Sequence, residues 1–195
     1  MIPRRDSKVM EPNDPLWRVT DVQTTAEAAH EDVAALYART CPRLVGLLVS
    51  IGGSRSEAEE VAQDAYVRLL QHWGTVRDYD DPESWVRVVA VRLLISRRRR
   101  ATAATFGLRR LAGRARQHQP EQPELSADAL AVTSALRTLP VAQRACVILH
   151  HAMDLSVEQV AQELKVPVGT VKSRLSRARA ALAPLLNDHE EVNHV

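Results

Sequence analysis

"SVEQVAQELKVPVGTVKSRLSRARAAL", residues 156–182, decides how this chain is read. Ser156 followed by Gln159 is a capping box, and Val157, Val160, Ala161 and Leu164 make one apolar helical face. Lys165 to Pro167 break that helix. A second helix then sets Val168, Val171, Leu175, Ala178 and Leu182 on a buried stripe. Thr170, Ser173, Arg174 and Arg177 fall on a second face, and Lys172, Ser176 and Arg179 on a third. Two short helices around a tight turn form a helix–turn–helix, whose second helix enters a DNA major groove by its N-terminal part. Arginine there can bond bidentately to guanine, while lysine and serine suit phosphates. A solvated, salt-bridged surface helix is the competing reading of the same residues.

Outward from this stretch, the 195 residues read as all-α. Hydrophobic residues make up 45% of the chain but aromatics only 4%, so its cores rest on Leu, Val and Ala. The pattern predicts two small helical domains joined by a flexible linker. Residues 1–25 are polar and hold Pro3, Pro12 and Pro15, which predicts a disordered tail. Residues 26–100 are helical by periodicity, 101–126 form a basic and then proline-bearing linker, 127–186 carry the helix–turn–helix, and 187–195 are a tail.

Within the first domain, a helix ends on Gly52-Gly53, with Pro42 expected to kink or split it. Ser56 and Glu59 read as the capping box of the next helix, and Gly74 as its stop. Ala58, Val61, Ala62, Ala65, Leu69 and Trp73 share its apolar face, whereas Glu60, Gln63, Asp64 and Arg68 point away. Asp81 caps a third helix with Pro82 at its first position. That helix is apolar all round, as expected of one central to a bundle, and ends in Arg97 to Arg100. Arg87 and Arg92 interrupt it, which is costly unless they face solvent or phosphate.

Net charge is only +2, yet Arg97 to Arg116 contains eight arginines and no acidic residue. Such a block in a nearly neutral chain fits a local polyanion partner or a solvated linker, and composition alone slightly favours the linker. Cys41 and Cys146 have no metal-ligand spacing and read as buried hydrophobes in a reduced compartment. Adjacent His150 and His151 are expected on different sides of a helix, so no metal and no cofactor is expected. No apolar run is expected to reach the roughly 20 residues that span a membrane, so the chain reads as cytoplasmic, without membrane insertion.

"LPVAQRACVILHHAMDLSVEQVAQELKVPVGTVKSRLSRARAAL", residues 139–182, closely resembles the fourth region of bacterial sigma factors of the extracytoplasmic-function class. "LYARTCPRLVGLL", "SEAEEVAQDAYVRLLQHW" and "DPESWVRVVAVRLLISRRRR" resemble the second region of the same family. The resemblance implies a non-enzymatic protein that binds core RNA polymerase and promoter DNA and takes no small-molecule substrate. An anti-sigma factor is a further partner it admits. By that resemblance Thr170, Lys172, Ser173, Arg174 and Arg177 read duplex DNA at the minus-35 element, Arg174 and Arg177 at base edges. Tyr79, Arg87 and Arg92 serve the single-stranded minus-10 element, Arg97 and Arg98 the duplex phosphates just upstream of its opened segment, and Glu60, Gln63 and Asp64 dock on polymerase. Val91, Arg92 and Ser96 stand where the family usually has Arg, Asn and Asp, which bears on the minus-10 sequence. The alternative is a stand-alone helix–turn–helix regulator.

Overall fold

The computed structural model describes residues 17–108 and 127–192, with side chains described over 29–103 and 131–184. Seven helices account for these residues, and no strand occurs among them. Three long helices come first: α1 (Trp17–Gly52), α2 (Arg55–Val76) and α3 (Pro82–Leu108). Then follow α4 (Ala127–Thr138), α5 (Val141–Val147) continuing into a π-helical turn (Ile148–Ala152), α6 (Val157–Leu164) and α7 (Val168–Val192).

Helix α1 ends where glycine is needed. Gly53 has φ +84°, and its N–H closes on the Val49 carbonyl at 2.7 Å. At Gly52 a Cβ would meet Leu94 Cδ1 at 3.1 Å, so the missing side chain is what lets α3 approach. Helix α1 passes through Pro42 unsplit. Leu36, Cys41, Leu44, Val45 and Leu48 are buried on both sides of the proline, and this packing outweighs the hydrogen bond it removes.

The α2 stripe is buried as expected, from Ala58 to Trp73. Its start lies two residues earlier than the expected Ser56–Glu59 box. Ser54 is the N-cap and accepts from the Glu57 N–H, while the Glu57 carboxylate pairs with Arg98. Gly74 does not stop α2, which runs on to Val76 because that side chain is buried in the same core. Asp81 caps α3 as expected, with Oδ1 accepting the Ser84 N–H at 2.9 Å.

Three boundaries shift outward. Trp17 to Thr25 continue α1 rather than forming a tail; residues 1–16 lie outside the described residues. Residues 101–108 extend α3 rather than beginning the linker, since Ala-Thr-Ala-Ala adds good helix formers to a helix already nucleated; residues 109–126 lie outside. Helix α7 continues past Leu186, through Pro184, to Val192.

The larger departure is that the two helical units pack together. Helix α5 lies against α1 and α3, and α6 against α3. One core cluster runs from Leu48, Ile51 and Leu94 into Ala145, Leu149, Val160 and Val171. This explains why α3 is apolar all round. One side of it serves the α1–α2 bundle and the other meets the helix–turn–helix unit.

By length and composition the segment Ala29–Gly52 could cross a membrane, which the reading of the sequence did not anticipate. Here its apolar stripe (Val33, Leu36, Leu44, Leu48, Ile51) is buried, and Glu31, Asp32, Arg39 and Arg43 are exposed on its other sides.

Candidate nucleic-acid interface

The helix–turn–helix is built by short-range bonds. Ser156 Oγ accepts the Gln159 N–H at 3.1 Å, and Gln159 Oε1 accepts the Ser156 N–H at 2.7 Å, completing the expected capping box. Lys165 takes a left-handed conformation, φ 51°, which ends α6. The Val166 N–H then reaches back to the Ala161 carbonyl at 3.0 Å. Pro167 starts α7, its carbonyl accepting the Thr170 N–H at 2.9 Å. Val160, Ala161, Leu164, Val171 and Ala178 are buried, so the stripe predicted for this motif is its core.

The five α7 candidates do not share one environment. Lys172 and Arg177 are exposed, as readers of a groove must be. Thr170 is half-buried, and the Ser173 hydroxyl donates to the Thr170 carbonyl at 3.0 Å. Arg174 is half-buried and directed toward the buried Cys146 thiol. Burial pushes that thiol up, and the Arg174 hydrogen bond and charge pull against it. Of the two arginines assigned to base edges, Arg177 is the more exposed in this conformation.

On α3 the arginines have protein partners instead of open water. Arg87 donates from Nη2 to Glu163 Oε1 at 2.5 Å and to Ser84 Oγ at 2.7 Å, with both ion-pair side chains largely buried. Arg92 donates from Nε to the Glu163 carbonyl and from Nη2 to the Gln162 carbonyl at 2.8 Å. Burial lowers the Arg92 pKa, and the Glu163 charge opposes it. The expectation that Arg87 and Arg92 face solvent or phosphate does not describe this conformation: both reach across to the end of α6. Tyr79 is exposed at the mouth of the cleft between the units, beside half-buried Trp85, with Gln159 and Gln162 opposite. Trp85 packs against the core.

Arg97 links the two sites assigned to region 2. Its Nη1 donates to Glu60 at 3.1 Å and its Nη2 to Asp64 at 2.6 Å. Glu60, Gln63 and Asp64 are exposed on α2. Arg98 turns inward, pairing with Glu57 and donating to the Gly52 carbonyl at 2.9 Å.

One basic residue escaped the sequence reading. Arg144 on α5 is buried and donates to the carbonyls of Ile51, Arg137 and Leu139 at 2.9–3.0 Å. Burial lowers its pKa, and the charges of Arg98 and Arg137 lower it further. Only its isolated position among apolar residues signalled it.

His150 and His151 differ from expectation as well. Their rings sit 4.6 Å apart on the π-helical turn, whose larger number of residues per turn narrows the angle between neighbours. No cluster of metal-ligating side chains occurs among the described residues.

Two family models match separate parts of the chain. Residues 36–104 match the family model "Sigma-70 region 2", and residues 129–182 match "Sigma-70, region 4". The "ECF RNA polymerase sigma factor SigL" of Mycobacterium tuberculosis is 31% identical over 165 residues, covering 84% of this chain and 92% of that protein. The "ECF RNA polymerase sigma factor SigE" of Mycolicibacterium smegmatis is 29% identical over 94% of this chain and 73% of its own length. Among solved structures, the sigma factor RpoE, in complex with the anti-sigma factor NepR from Bartonella quintana, superposes with a TM-score of 0.63. It is 24% identical, over 80% of this chain and 98% of that one.

Proposed function

This chain belongs to the sigma-70 family of RNA polymerase sigma factors, in its extracytoplasmic-function class, and we propose that it directs core RNA polymerase to specific promoters in the cytoplasm. The observation that carries this reading is the pair of family regions in order, 36–104 and 129–182, on one chain. A stand-alone helix–turn–helix regulator needs only the second.

The roles divide by exposure and chemistry. Glu60, Gln63 and Asp64 offer polymerase a compact polar surface on α2. Lys172 holds phosphate at the minus-35 element while Arg177 reaches base edges, with Thr170, Ser173 and Arg174 beside them. Tyr79 offers a stacking face to a single-stranded minus-10 base, and Arg87, Arg92, Arg97 and Arg98 line the helix behind it. The chain supplies binding and positioning, and the chemistry of RNA synthesis belongs to the polymerase. An anti-sigma factor that covers one of these faces is a proposed partner, by analogy with the RpoE–NepR complex.

Run-off transcription tests this. Purified protein, core polymerase and the DNA upstream of its own gene are expected to yield a discrete transcript that depends on the protein. No transcript, together with no co-elution with core polymerase, overturns the reading.

A further inference from the structure

A cavity of about 160 Å³ lies between α1, α2, the first turns of α3 and the turn that follows the π-helical segment. Its lining includes no residue of α7 and none of Glu60, Gln63 and Asp64. Leu44 and Leu47 of α1 and Val86 of α3 form the apolar wall, and Met153, an exposed apolar side chain, stands at its edge. A dry cavity of roughly 150 Å³ takes a benzene ring, so this one holds a body the size of a leucine or methionine side chain.

The polar groups of the cavity are placed unevenly. Thr40 Oγ1 donates its single proton to the Leu36 carbonyl at 2.7 Å, so its 2.5 Å contact with Tyr66 is a hydrogen bond donated by the phenol. Burial raises the Tyr66 pKa and the nearby Glu83 charge adds to this, which keeps that proton on the phenol. The Tyr66 oxygen is left with acceptor capacity alone. At the rim, Arg43 Nη2 and Glu83 Oε1 stand 3.5 Å apart, too far for a good hydrogen bond, and both side chains are exposed there. Arg87 also reaches the wall, but its Nη2 is bonded to Ser84 and Glu163.

We propose that this cavity binds a free aliphatic α-amino acid, with its side chain among Leu44, Leu47, Val86 and Met153, its carboxylate on Arg43, and its ammonium toward Glu83 with the Tyr66 oxygen as a further acceptor. A zwitterion carries both charges on one carbon, so it replaces the loose Arg43–Glu83 contact with charge-assisted hydrogen bonds to each partner. A carboxylic acid without the ammonium would set a like charge beside Glu83. An amine without the carboxylate would leave Arg43 with no anion in exchange for the one it loses. The site is built from residues of this chain and does not depend on the sigma-factor reading.

Isothermal titration calorimetry of the full-length protein tests this with L-leucine, L-methionine, glycine, isocaproate and isoamylamine. Leucine and methionine are expected to bind saturably at millimolar concentrations, and glycine, with no side chain to bury, to give no binding heat. Isocaproate is leucine without its ammonium and isoamylamine is leucine without its carboxylate; each is expected to bind at least about tenfold more weakly than leucine. Arg43→Gln is expected to weaken leucine about tenfold and to leave isoamylamine unchanged. Leu47→Trp fills the cavity and is expected to abolish leucine binding, with circular dichroism confirming that the variant folds. No binding of leucine or methionine to the wild type overturns the proposal. Equal affinity for leucine and isocaproate overturns the amino-acid assignment. Leucine binding that survives unchanged in Arg43→Gln overturns the site, and this variant keeps the test decisive if Leu47→Trp fails to fold.

Discussion

The guanidinium of Arg144 donates to the carbonyl of Ile51, 93 positions earlier in the chain, at 3.0 Å. This one side chain closes two open helix ends at once, because its other nitrogen satisfies Arg137 and Leu139 at the end of α4. Arg144→Met keeps the bulk but leaves those carbonyls without that donor. It is expected to cost about 2–4 kcal/mol, read as a lower urea midpoint at unchanged slope. Arg144→Lys is expected to fall between, since an ammonium cannot reproduce the planar fork.

Promoter recognition should separate by residue. Arg177→Ala is expected to cost about 1–3 kcal/mol of promoter affinity and relax preference at one base position. Lys172→Ala is expected to weaken binding evenly across sequences and reduce the salt slope by about 1. Holoenzyme binding to a set of single-base promoter variants at several salt concentrations distinguishes the two.

Asp64 is half exposed and paired with Arg97, so its loss should barely affect the fold. Exposed pairs contribute roughly 0–1 kcal/mol. Asp64→Arg is expected to leave the thermal midpoint within a few degrees of wild type and to abolish co-elution with core polymerase. Normal holoenzyme formation by this variant would move the docking site elsewhere.

Asp81 begins α3 and accepts from Ser84, whose side chain and backbone both hold its carboxyl below the ordinary value. A pKa lowered by folding contributes stability above the unfolded pKa of about 3.9 and loses it as pH falls through the folded value. The Asp81 contribution should thus be constant at neutral pH and vanish only in acid. Asp81→Ala is expected to cost about 1 kcal/mol at pH 7 and progressively less below about pH 4. Thermal melts of both proteins across that range check the convergence.

What local chemistry dictates was legible in the residues themselves. The α2 stripe, the Ser156–Gln159 box, the Asp81 cap, the Gly53 stop and the α6–α7 turn all depend on neighbours within one or two helical turns. Errors entered where packing overrode local preference, as at Pro42 and Gly74, and where a helix already formed ran past its expected end, as in α3 and α7. The family motif located both nucleic-acid candidates, because side-chain type and spacing on a single helix are sequence properties.

The partners of the arginines were decided only by the tertiary structure. A guanidinium accepts phosphate, carboxylate or peptide carbonyl alike, so Arg87, Arg92, Arg97 and Arg144 carry no record of which one they meet. That choice comes from bringing α3 against α6 and α5 against α1, across separations of 70 to 93 residues. The apolar circumference of α3 announced that this helix would be central. It took the folded chain to show that its second face belongs to the helix–turn–helix unit, because an apolar surface specifies burial and not the identity of what buries it.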